Sequence, residues 1–359
     1  MTNPPTLPVD AVLPELTAVL ASRRRAVLHA PPGAGKTTRV PPALLHADWL
    51  DGRVVMLEPR RVAARAAAAR IAAELGSRVG DLVGHRVRND TKVGPSTLIE
   101  VVTEGVLTRM LQDDPSLPGV AAVVFDEFHE RSLHADLGLA LTIEAQTALR
   151  PDLAIVVMSA TLDDRRVADV LGDAPVMRSV GRRHSVTTHH RPRSGSELES
   201  DVAAAVEHAW AHDEGDVLAF LPGARWIRRT AERLAGRLPG GIVLPLHGSL
   251  DAAEQDRAIA VDPNGRRKVI LATDIAETSL TIDGVRVVVD GGQRRSPRFD
   301  PRSGLTRLET GRISLASADQ RRGRAGRQAP GVCYRLWSEA DQQHMASFDP
   351  PEIAVADLS

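Results

Sequence analysis

The feature that most restricts the possible folds of this chain is the run RAVLHAPPGAGKTTRV at residues 25–40. A short apolar segment from Ala26 to Leu28 leads into a turn rich in Pro and Gly, and an alternating polar and apolar segment follows. This order predicts a strand, a tight loop and a helix. Glycines in such a loop let backbone N–H groups approach phosphate oxygens with no Cβ in the way.

The end of this loop predicts a nucleoside triphosphate site. Lys36 is placed to reach the β- and γ-phosphates, Thr37 to offer its hydroxyl to Mg²⁺, and the N-terminus of the new helix adds partial positive charge. Ala30 stands where the common pattern has Gly, and a Gly-rich turn without a ligand is the alternative. The candidate nucleotide-binding residues are Pro32, Gly33, Ala34, Gly35, Lys36, Thr37 and Thr38.

Length and composition restrict the class of protein. A chain of 359 residues is long enough for two domains with separate cores. Its single cysteine, Cys333, cannot form an intrachain disulfide, which suits a reducing compartment. No apolar run approaches the ~20 residues that span a bilayer, and the amino terminus lacks a signal-peptide pattern. We therefore expect a soluble cytoplasmic protein that does not contact a membrane.

Charge gives no indication of the partner. The formal net charge is −1, so the overall field does not favour a polyanion. Any binding of nucleic acid must come from the local arrangement of basic groups.

An acidic pair follows the fourth predicted strand. The apolar run AAVVF at residues 121–125 leads directly into DEFHE, about 90 residues after the phosphate loop. A nucleotide hydrolase with such a loop places its Mg²⁺ carboxylate and the group that orients the attacking water there. We predict that Asp126 binds Mg²⁺ and that Glu127 is the catalytic base. The alternative is a solvated strand end with a capping Asp.

Polar residues also follow two other predicted strands. Arg60 and Arg61 come after the apolar run at residues 53–58. They are placed to contact the phosphates of a bound strand or the adenine face, or to begin a solvated helix. Thr103 stands at the next junction of strand and helix, where it is suited to donate to a phosphate or to cap the helix.

Alternation of strands and helices predicts a parallel, doubly wound α/β sheet. A strand at 154–158 ends the first unit, and the alternation begins again near residue 198. We predict a first domain at residues 1–178, a linker at 179–196 and a second domain at 197–359. Three histidines within this linker, His184, His189 and His190, suggest a metal site, but they have no matching cysteines or carboxylate pattern, which disfavours it.

The second half has no phosphate loop of its own. It carries instead the run ADQRRGRAGR at residues 318–327. The spacing of Arg321, Arg324 and Arg327 predicts that they share one helix face. Two glycines would weaken this helix. We expect close packing against the other domain's nucleotide site to compensate and to bring arginines to the γ-phosphate.

The ordered set AxxxxGKT, EPRR, TEG, DEFH, SAT, HGS, ATDIAETSLTIDG and QRRGRAGR resembles a superfamily 2 helicase of the DEAH-box branch. The form DEFHER, together with RSPRFDPRSGLTRLET at 295–310, is similar to the HrpB-type subgroup. The resemblance covers nearly the whole chain. It implies two tandem RecA-like domains, with ATP and Mg²⁺ in the cleft between them and single-stranded RNA across both.

The resemblance also implies roles for residues at matching positions. The phosphate loop, Asp126 and Glu127 keep the roles given above. The resemblance implies that nucleotide state is coupled to domain closure by His129, Ser159 and Thr161. It also implies that the hydrolytic site is completed by Gln320, Arg324 and Arg327. The RNA strand is expected along Arg60, Arg61, Arg86, Thr103, His247, Thr273 and Thr278.

Three departures from the family pattern change the expectations. Phe128 replaces Ala in the acidic motif, and we expect it to pack inward without changing the chemistry. Gln293 stands where many relatives have an aromatic residue that stacks on adenine, so other nucleoside triphosphates remain open as substrates. The chain ends at Ser359, where relatives continue into further domains, which predicts a helicase core alone.

Taken together, these features predict an ATP-dependent RNA helicase or RNP remodeller that moves 3′ to 5′. The alternative is an RNA-stimulated NTPase that clamps RNA without unwinding it. A scaffold with an inactive ATP site is disfavoured by the intact Lys36, Asp126, Glu127, Arg324 and Arg327. We expect a monomer, with DNA open as a second strand type and no prediction of protein partners.

Overall fold

The computed structural model describes residues 6–160, 164–181, 184–195, 197–277, 282–300, 305–350 and 352, with no side-chain detail at 164, 297–300, 305 and 306. These residues form two compact units, one within 1–182 together with Glu352 and the other within 183–350. Among them, none of the helices has the length and apolar character that a membrane crossing needs.

The first unit alternates strands with helices. Its strands are β1 (Arg25–His29), β2 (Arg53–Glu58), β3 (Val83–Val87), β4 (Asp90–Lys92), β5 (Ile99–Thr103), β6 (Val120–Phe125), β7 (Ala154–Ser159) and β8 (Val176–Arg178). Its helices are α1 (Leu13–Arg23), α2 (Lys36–Leu45), α3 (Arg61–Glu74), α4 (Glu104–Asp113), α5 (Leu133–Ala148) and α6 (Asp164–Val170). Short 3₁₀ turns lie at Pro8–Ala11 and Phe128–Glu130.

The strands of the first unit form one twisted sheet in the order β4-β3-β5-β2-β6-β7-β1-β8. Only the pair β3–β4 is antiparallel. Alternate strand residues face opposite sides: Leu28 packs in the cluster that contains α1, α2 and α3, and Val27 in the cluster that contains α4, α5 and α6. Strands covered on both faces are apolar throughout, which explains the uninterrupted runs in the sequence.

The second unit repeats this plan. Its strands are β9 (Val186–His190), β10 (Asp216–Phe220), β11 (Ile242–Leu246), β12 (Lys268–Ala272), β13 (Val285–Asp290), β14 (Gln293–Asp300), β15 (Leu305–Arg312) and β16 (Gly331–Arg335). Its helices are α7 (Leu198–His212), α8 (Ala224–Leu234), α9 (Ala252–Ile259), α10 (Leu315–Gly323) and α11 (Glu339–Gln343), with a 3₁₀ turn at Asp274–Ala276.

Six strands of the second unit form a fully parallel sheet in the order β11-β12-β10-β13-β16-β9. Strands β14 and β15 form a separate antiparallel pair. Apolar residues of α7 and α8, such as Val202, Val206 and Ile227, pack on the sheet through Val217 and Val287. The predicted class, two mostly parallel α/β sheets, is confirmed.

Within the segment predicted to be a linker, residues 186–190 form β9. This strand pairs in parallel with β16, from Val186 opposite Gly331 to His190 opposite Arg335. Its side chains alternate between half-buried and exposed, as expected for the edge of a sheet. The domain limits at residues 178 and 197 stay a prediction.

The prediction of one arginine helix face is wrong. Helix α10 ends at Gly323, so Arg324 follows its last residue and Arg327 lies outside it. The backbone then tightens, because the N–H groups of Arg324, Ala325 and Gly326 donate to carbonyl oxygens three residues earlier. The explanation expected for the glycines also changes. A Cβ on Gly326 would lie 2.7 Å from the His184 carbonyl oxygen, so this glycine lets the chain before β9 pass closely within the same unit.

Candidate functional site

The phosphate loop lies between β1 and α2, as predicted. Gly33 and Gly35 have φ angles of 83° and 91°, in the left-handed region that favours glycine. A Cβ on Gly35 would also lie 2.5 Å from Cδ1 of Leu7. Both glycines are therefore required by the backbone path, and the loop delivers Lys36 and Thr37 as the first residues of α2.

Lys36 lies against the acidic pair. Its Nζ donates to Oε1 of Glu127 at 2.8 Å and lies 3.5 Å from Oδ1 of Asp126. All three side chains are buried. Burial by itself lowers the pKa of Lys36, but Asp126 and Glu127 outweigh it, so the pKa is raised above its usual value. Lys36 is therefore a fixed positive charge between the loop and the end of β6.

Asp126 contacts the hydroxyl of Thr37, which donates to its Oδ2. The backbone N–H of Glu127 donates to the other carboxylate oxygen at 2.7 Å. Glu127 itself has a φ of 50°, a left-handed conformation that is unusual outside glycine. Such strained residues cluster at functional sites, where the surrounding structure holds them in place.

Glu58, at the end of β2, is a further acidic residue that sequence reasoning missed. It is fully buried next to Asp126. Burial, with the negative charges of Asp126 and Glu127, raises the pKa of Glu58 well above its usual value. Within the part of the chain that the structure describes, neither oxygen of this carboxyl group has a hydrogen-bond partner. Its position at the end of a buried strand is the one sequence feature that points to it.

The donor set fits a divalent metal ion. The carboxyl groups of Asp126, Glu127 and Glu58 together raise the pKa of one lysine, Lys36, although burial by itself lowers that pKa. The Thr37 hydroxyl is hydrogen-bonded to Asp126. Magnesium binds oxygen ligands, commonly one or two carboxylates completed by phosphate and water. Thr37 and Asp126 are the residues that would hold it.

His129 connects this centre to the end of β7. Its Nδ1 lies 3.4 Å from Oε2 of Glu127 and accepts a hydrogen bond of 3.4 Å from the backbone N–H of Ala160. Ser159 is buried at the end of β7, and its carbonyl accepts from the N–H of Ala30. Two of the three predicted coupling residues are thus brought together, whereas Thr161 lies outside the described residues. Phe128 packs inward, edge-on to Phe125, as expected.

The predicted strand contacts of the first unit lie at the same edge of its sheet. Thr103 pairs with Glu58 across β5 and β2, and its side chain does not cap α4. The Nη2 atom of Arg60 lies 3.2 Å from Oε2 of Glu130. Arg61 is exposed at the start of α3, whereas Nε of Arg86 donates at 2.6 Å to the buried Glu100. Thr103 therefore occupies the N-cap position of α4 without a capping hydrogen bond from its side chain.

In the second unit, His247 and Thr273 follow β11 and β12, which are neighbours in the sheet. His247 accepts or donates a 2.8 Å hydrogen bond at Nδ1 with the Ser249 hydroxyl, and burial lowers its pKa. The hydroxyl of Thr273 accepts from the N–H of Ile275 at 3.5 Å, so it caps the 3₁₀ turn. Thr278 lies outside the described residues.

The arginine run has two different roles within its own unit. Arg321 is buried, donates to Glu277 at 2.8 Å and to Asp290 at 2.9 Å, and lies over the ring of Phe220. Arg324 donates to the carbonyl oxygen of Glu277 at 2.8 Å. Gln320 and Arg327 are both partly exposed, on α10 and beyond its end. Arg321 is thus a structural residue, because its guanidinium neutralises two acids inside the unit.

Two family models match this chain. The model described as DEAD/DEAH box helicase matches residues 11–170, and the helicase conserved C-terminal domain matches residues 201–329. The first match contains the phosphate loop and the acidic pair, and the second contains the arginine run.

Individual relatives extend the match to nearly the whole chain. ATP-dependent RNA helicase HrpB of Escherichia coli (strain K12) is 49% identical over 356 residues, which cover 99% of this chain and 44% of HrpB. Probable ATP-dependent RNA helicase DHX34 of Homo sapiens is 37% identical over 97% of this chain and 31% of its own length. The crystal structure of Escherichia coli DEAH/RHA helicase HrpB matches with a TM-score of 0.92, over 98% of this chain and 45% of that one.

The chain therefore spans less than half the length of these relatives. The two RecA-like folds and the resemblance predicted from the motifs are confirmed. By its two matching domains and its identity with HrpB, the chain belongs to the DEAD/DEAH box helicase family.

Proposed function

We propose that the chain is the motor core of an ATP-dependent RNA helicase, which couples hydrolysis of ATP to 3′-to-5′ movement on single-stranded RNA. The observation that carries the proposal is the contact of Lys36 and Thr37 with Glu127 and Asp126 in one buried centre. The similarity to HrpB, an ATP-dependent RNA helicase, and to DHX34, a probable one, supports the choice of ATP and RNA.

In this proposal the chain's own residues bind and orient the triphosphate. The loop N–H groups and Lys36 hold the phosphates, and Glu127 takes a proton from the attacking water or orients it. Thr37 and Asp126 would hold Mg²⁺, which would neutralise charge on the phosphates when bound. Lys36 then exchanges part of its contact with Glu127 for phosphate oxygens, which frees the Glu127 carboxylate for water.

The second unit completes the site through Gln320, Arg324 and Arg327. Gln320 positions the water or the γ-phosphate, and the two arginines stabilise the charge of the transition state. Loss of the γ-phosphate removes these contacts, so the nucleotide state controls domain closure. His129, Ser159 and Thr161 transmit that state within the first unit.

The strand is held by its phosphates and sugars, so binding is independent of sequence and sensitive to salt. The proposed contacts are Arg60, Arg61, Arg86, Thr103, His247, Thr273 and Thr278. Arg86 first has to share its guanidinium with Glu100. The use of DNA, the use of other nucleoside triphosphates, a monomeric state and a cytoplasmic location remain predictions.

Phosphate release with and without poly(A) tests the proposal, with Glu127→Gln as the variant. We expect release by the wild type to rise with poly(A), and the variant to lose about 10²- to 10⁴-fold in kcat because it cannot accept a proton. Glu144→Gln, an exposed change on α5, is the matched control. Failure of the wild type to release phosphate under either condition would refute the proposal, and release without opening of a duplex would favour a clamp.

A further inference from the structure

An ion pair joins the proposed RNA contact Arg60 to the segment that carries the catalytic base. The Nη2 atom of Arg60 lies 3.2 Å from Oε2 of Glu130, and the two side chains are 24% and 19% exposed. Arg60 precedes α3 at the end of β2. Glu130 ends the 3₁₀ turn that begins directly after Glu127. No role follows for Glu130 from the motifs or from the proposed chemistry.

The turn that carries Glu130 is conformationally restricted at both ends. Glu127 before it and Arg131 after it have φ angles of 50° and 48°. A non-glycine residue persists in this region only where its surroundings hold it. A change in the contacts of Glu130 therefore acts on a short, rigid turn that begins directly after Glu127.

Arg60 lies in an acidic environment. The pKa of Glu104, at the start of α4, is raised by burial and by the nearby charges of Glu130 and Glu352, and lowered by that of Arg60. A guanidinium that already has a carboxylate partner has no need of a counterion from solution. A phosphate oxygen that binds Arg60 has to displace Glu130 first. This displacement is feasible because a partly exposed ion pair contributes little to stability.

We propose that Glu130 is a positioning residue that links RNA binding to hydrolysis. An RNA phosphate binds Arg60 in place of Glu130. The turn that follows Glu127 then relaxes, and Glu127 reaches its active geometry. This inference rests on the proposed function, because it requires an RNA strand at Arg60 and hydrolysis at Glu127. In the absence of RNA, the ion pair holds the turn in its resting form.

The salt dependence of RNA binding distinguishes this role from a merely structural one. In the wild type, the phosphate that Arg60 binds gives up a condensed cation, but the displaced Glu130 carboxylate attracts a cation in exchange. Glu130→Gln has no carboxylate at this position, so the release of the cation is no longer offset. We therefore expect the slope of log K against log[salt] to become steeper by about 0.7 in Glu130→Gln, the contribution of one contact to a single strand.

The full experiment measures poly(A) affinity across a salt series and ATP hydrolysis with and without poly(A). For Glu130→Gln we expect binding at low salt about 2- to 5-fold tighter, and a smaller stimulation by RNA because the rate without RNA rises. In an Arg60→Ala background, Glu130→Gln should have no further effect. Glu144→Gln should behave like the wild type, and Glu130→Ala should repeat the change of slope.

The inference is overturned if Glu130→Gln keeps the wild-type slope and stimulation, or if its effects persist when Arg60 is absent. Those outcomes leave the proposed function intact, since the wild type still binds RNA and hydrolyses ATP in them. A wild type that does not bind poly(A) or hydrolyse ATP refutes the proposed function itself, and the inference with it.

Discussion

Lys36 neutralises an acidic centre that has no other lysine within it. Its Nζ lies within 3.5 Å of both Asp126 and Glu127, and Glu58 is close enough to act on its pKa. In a buried centre, the removal of one charged partner leaves the others uncompensated, which destabilises the fold. The residue that binds phosphate in the proposal is therefore also a structural residue in the absence of nucleotide.

Replacement of Lys36 by Ala should lower stability as well as abolish hydrolysis. We expect a loss of about 3 kcal/mol in the free energy of unfolding, because the buried carboxylates keep no cation. Added Mg²⁺ should restore part of the loss in the variant by binding the same carboxylates. Thermal unfolding with Mg²⁺ and with a chelator measures both effects. An unfolding transition identical to that of the wild type would contradict the structural role.

Glu104 makes stability depend on pH. Burial, followed by the charges of Glu130 and Glu352, raises its pKa from 4.5 to about 7. Between these values the folded state binds more protons than the unfolded state, so the free energy of unfolding falls as pH rises. Glu104→Gln removes this dependence, and the variant should gain on the order of 2 kcal/mol over the wild type between about pH 5 and pH 8.

Urea unfolding at both pH values measures this gain. Glu15→Gln, an exposed change on α1, is the control and should follow the wild type. Parallel pH profiles for the wild type and Glu104→Gln would show that this carboxyl titrates normally.

Among the structural elements, α10 and the segment after it determine which arginines of the run at 318–327 are buried and which are exposed. The helix ends at Gly323, and the close passage of the chain at Gly326 sets the direction of the residues that follow. Arg321 is directed inward to Glu277 and Asp290, whereas Arg327 is partly exposed. A helix over the whole run would have placed all three arginines on one side.

Gly326→Ala should therefore destabilise the second unit. A Cβ there lies 2.7 Å from the His184 carbonyl oxygen and from Cγ2 of Val186, at the edge strand β9. We expect a loss of about 1–3 kcal/mol, typical of overpacking. Gly323→Ala is the matched control, because its Cβ has nothing within 4 Å and Ala favours a helix by up to about 1 kcal/mol. Equal unfolding midpoints for the two variants would contradict this explanation.

At the level of the two units together, activity should require groups from both. Each unit has its own sheet and core, and the acidic centre with the phosphate loop lies entirely in the first. The arginine run lies in the second. Binding of nucleotide and its hydrolysis are therefore expected to respond differently to changes in the second unit.

Arg327→Ala should lower kcat by about 10³-fold or more and change ATP affinity little, because an arginine finger acts mainly on the transition state. Single-turnover hydrolysis and nucleotide titration measure the two quantities separately. Arg257→Ala, at an exposed position of α9, controls for the loss of a positive charge. If Arg327→Ala hydrolyses ATP at the wild-type rate, the second unit does not act through this residue.

Local sequence pattern was sufficient to predict much of the fold. Strand β2 has the bounds that its apolar run indicated, and β6 and β7 differ from theirs by one residue, because parallel strands buried on both faces are apolar throughout. The contact of Lys36 and Thr37 with Glu127 and Asp126 follows from a loop and an acidic motif whose chemistry requires specific residue types at fixed spacing.

Other contacts depend on the tertiary structure, because they join residues far apart in the chain. Strand β9 pairs with β16 across about 145 residues, and Arg60 reaches Glu130 across 70. Arg321 pairs with Glu277 and Asp290 from different parts of the chain. Burial, with the charges of Asp126 and Glu127 beyond β6, raises the pKa of Glu58. Charge, burial and pairing of this kind are properties of a site formed by several strands, so no single segment of sequence contains them.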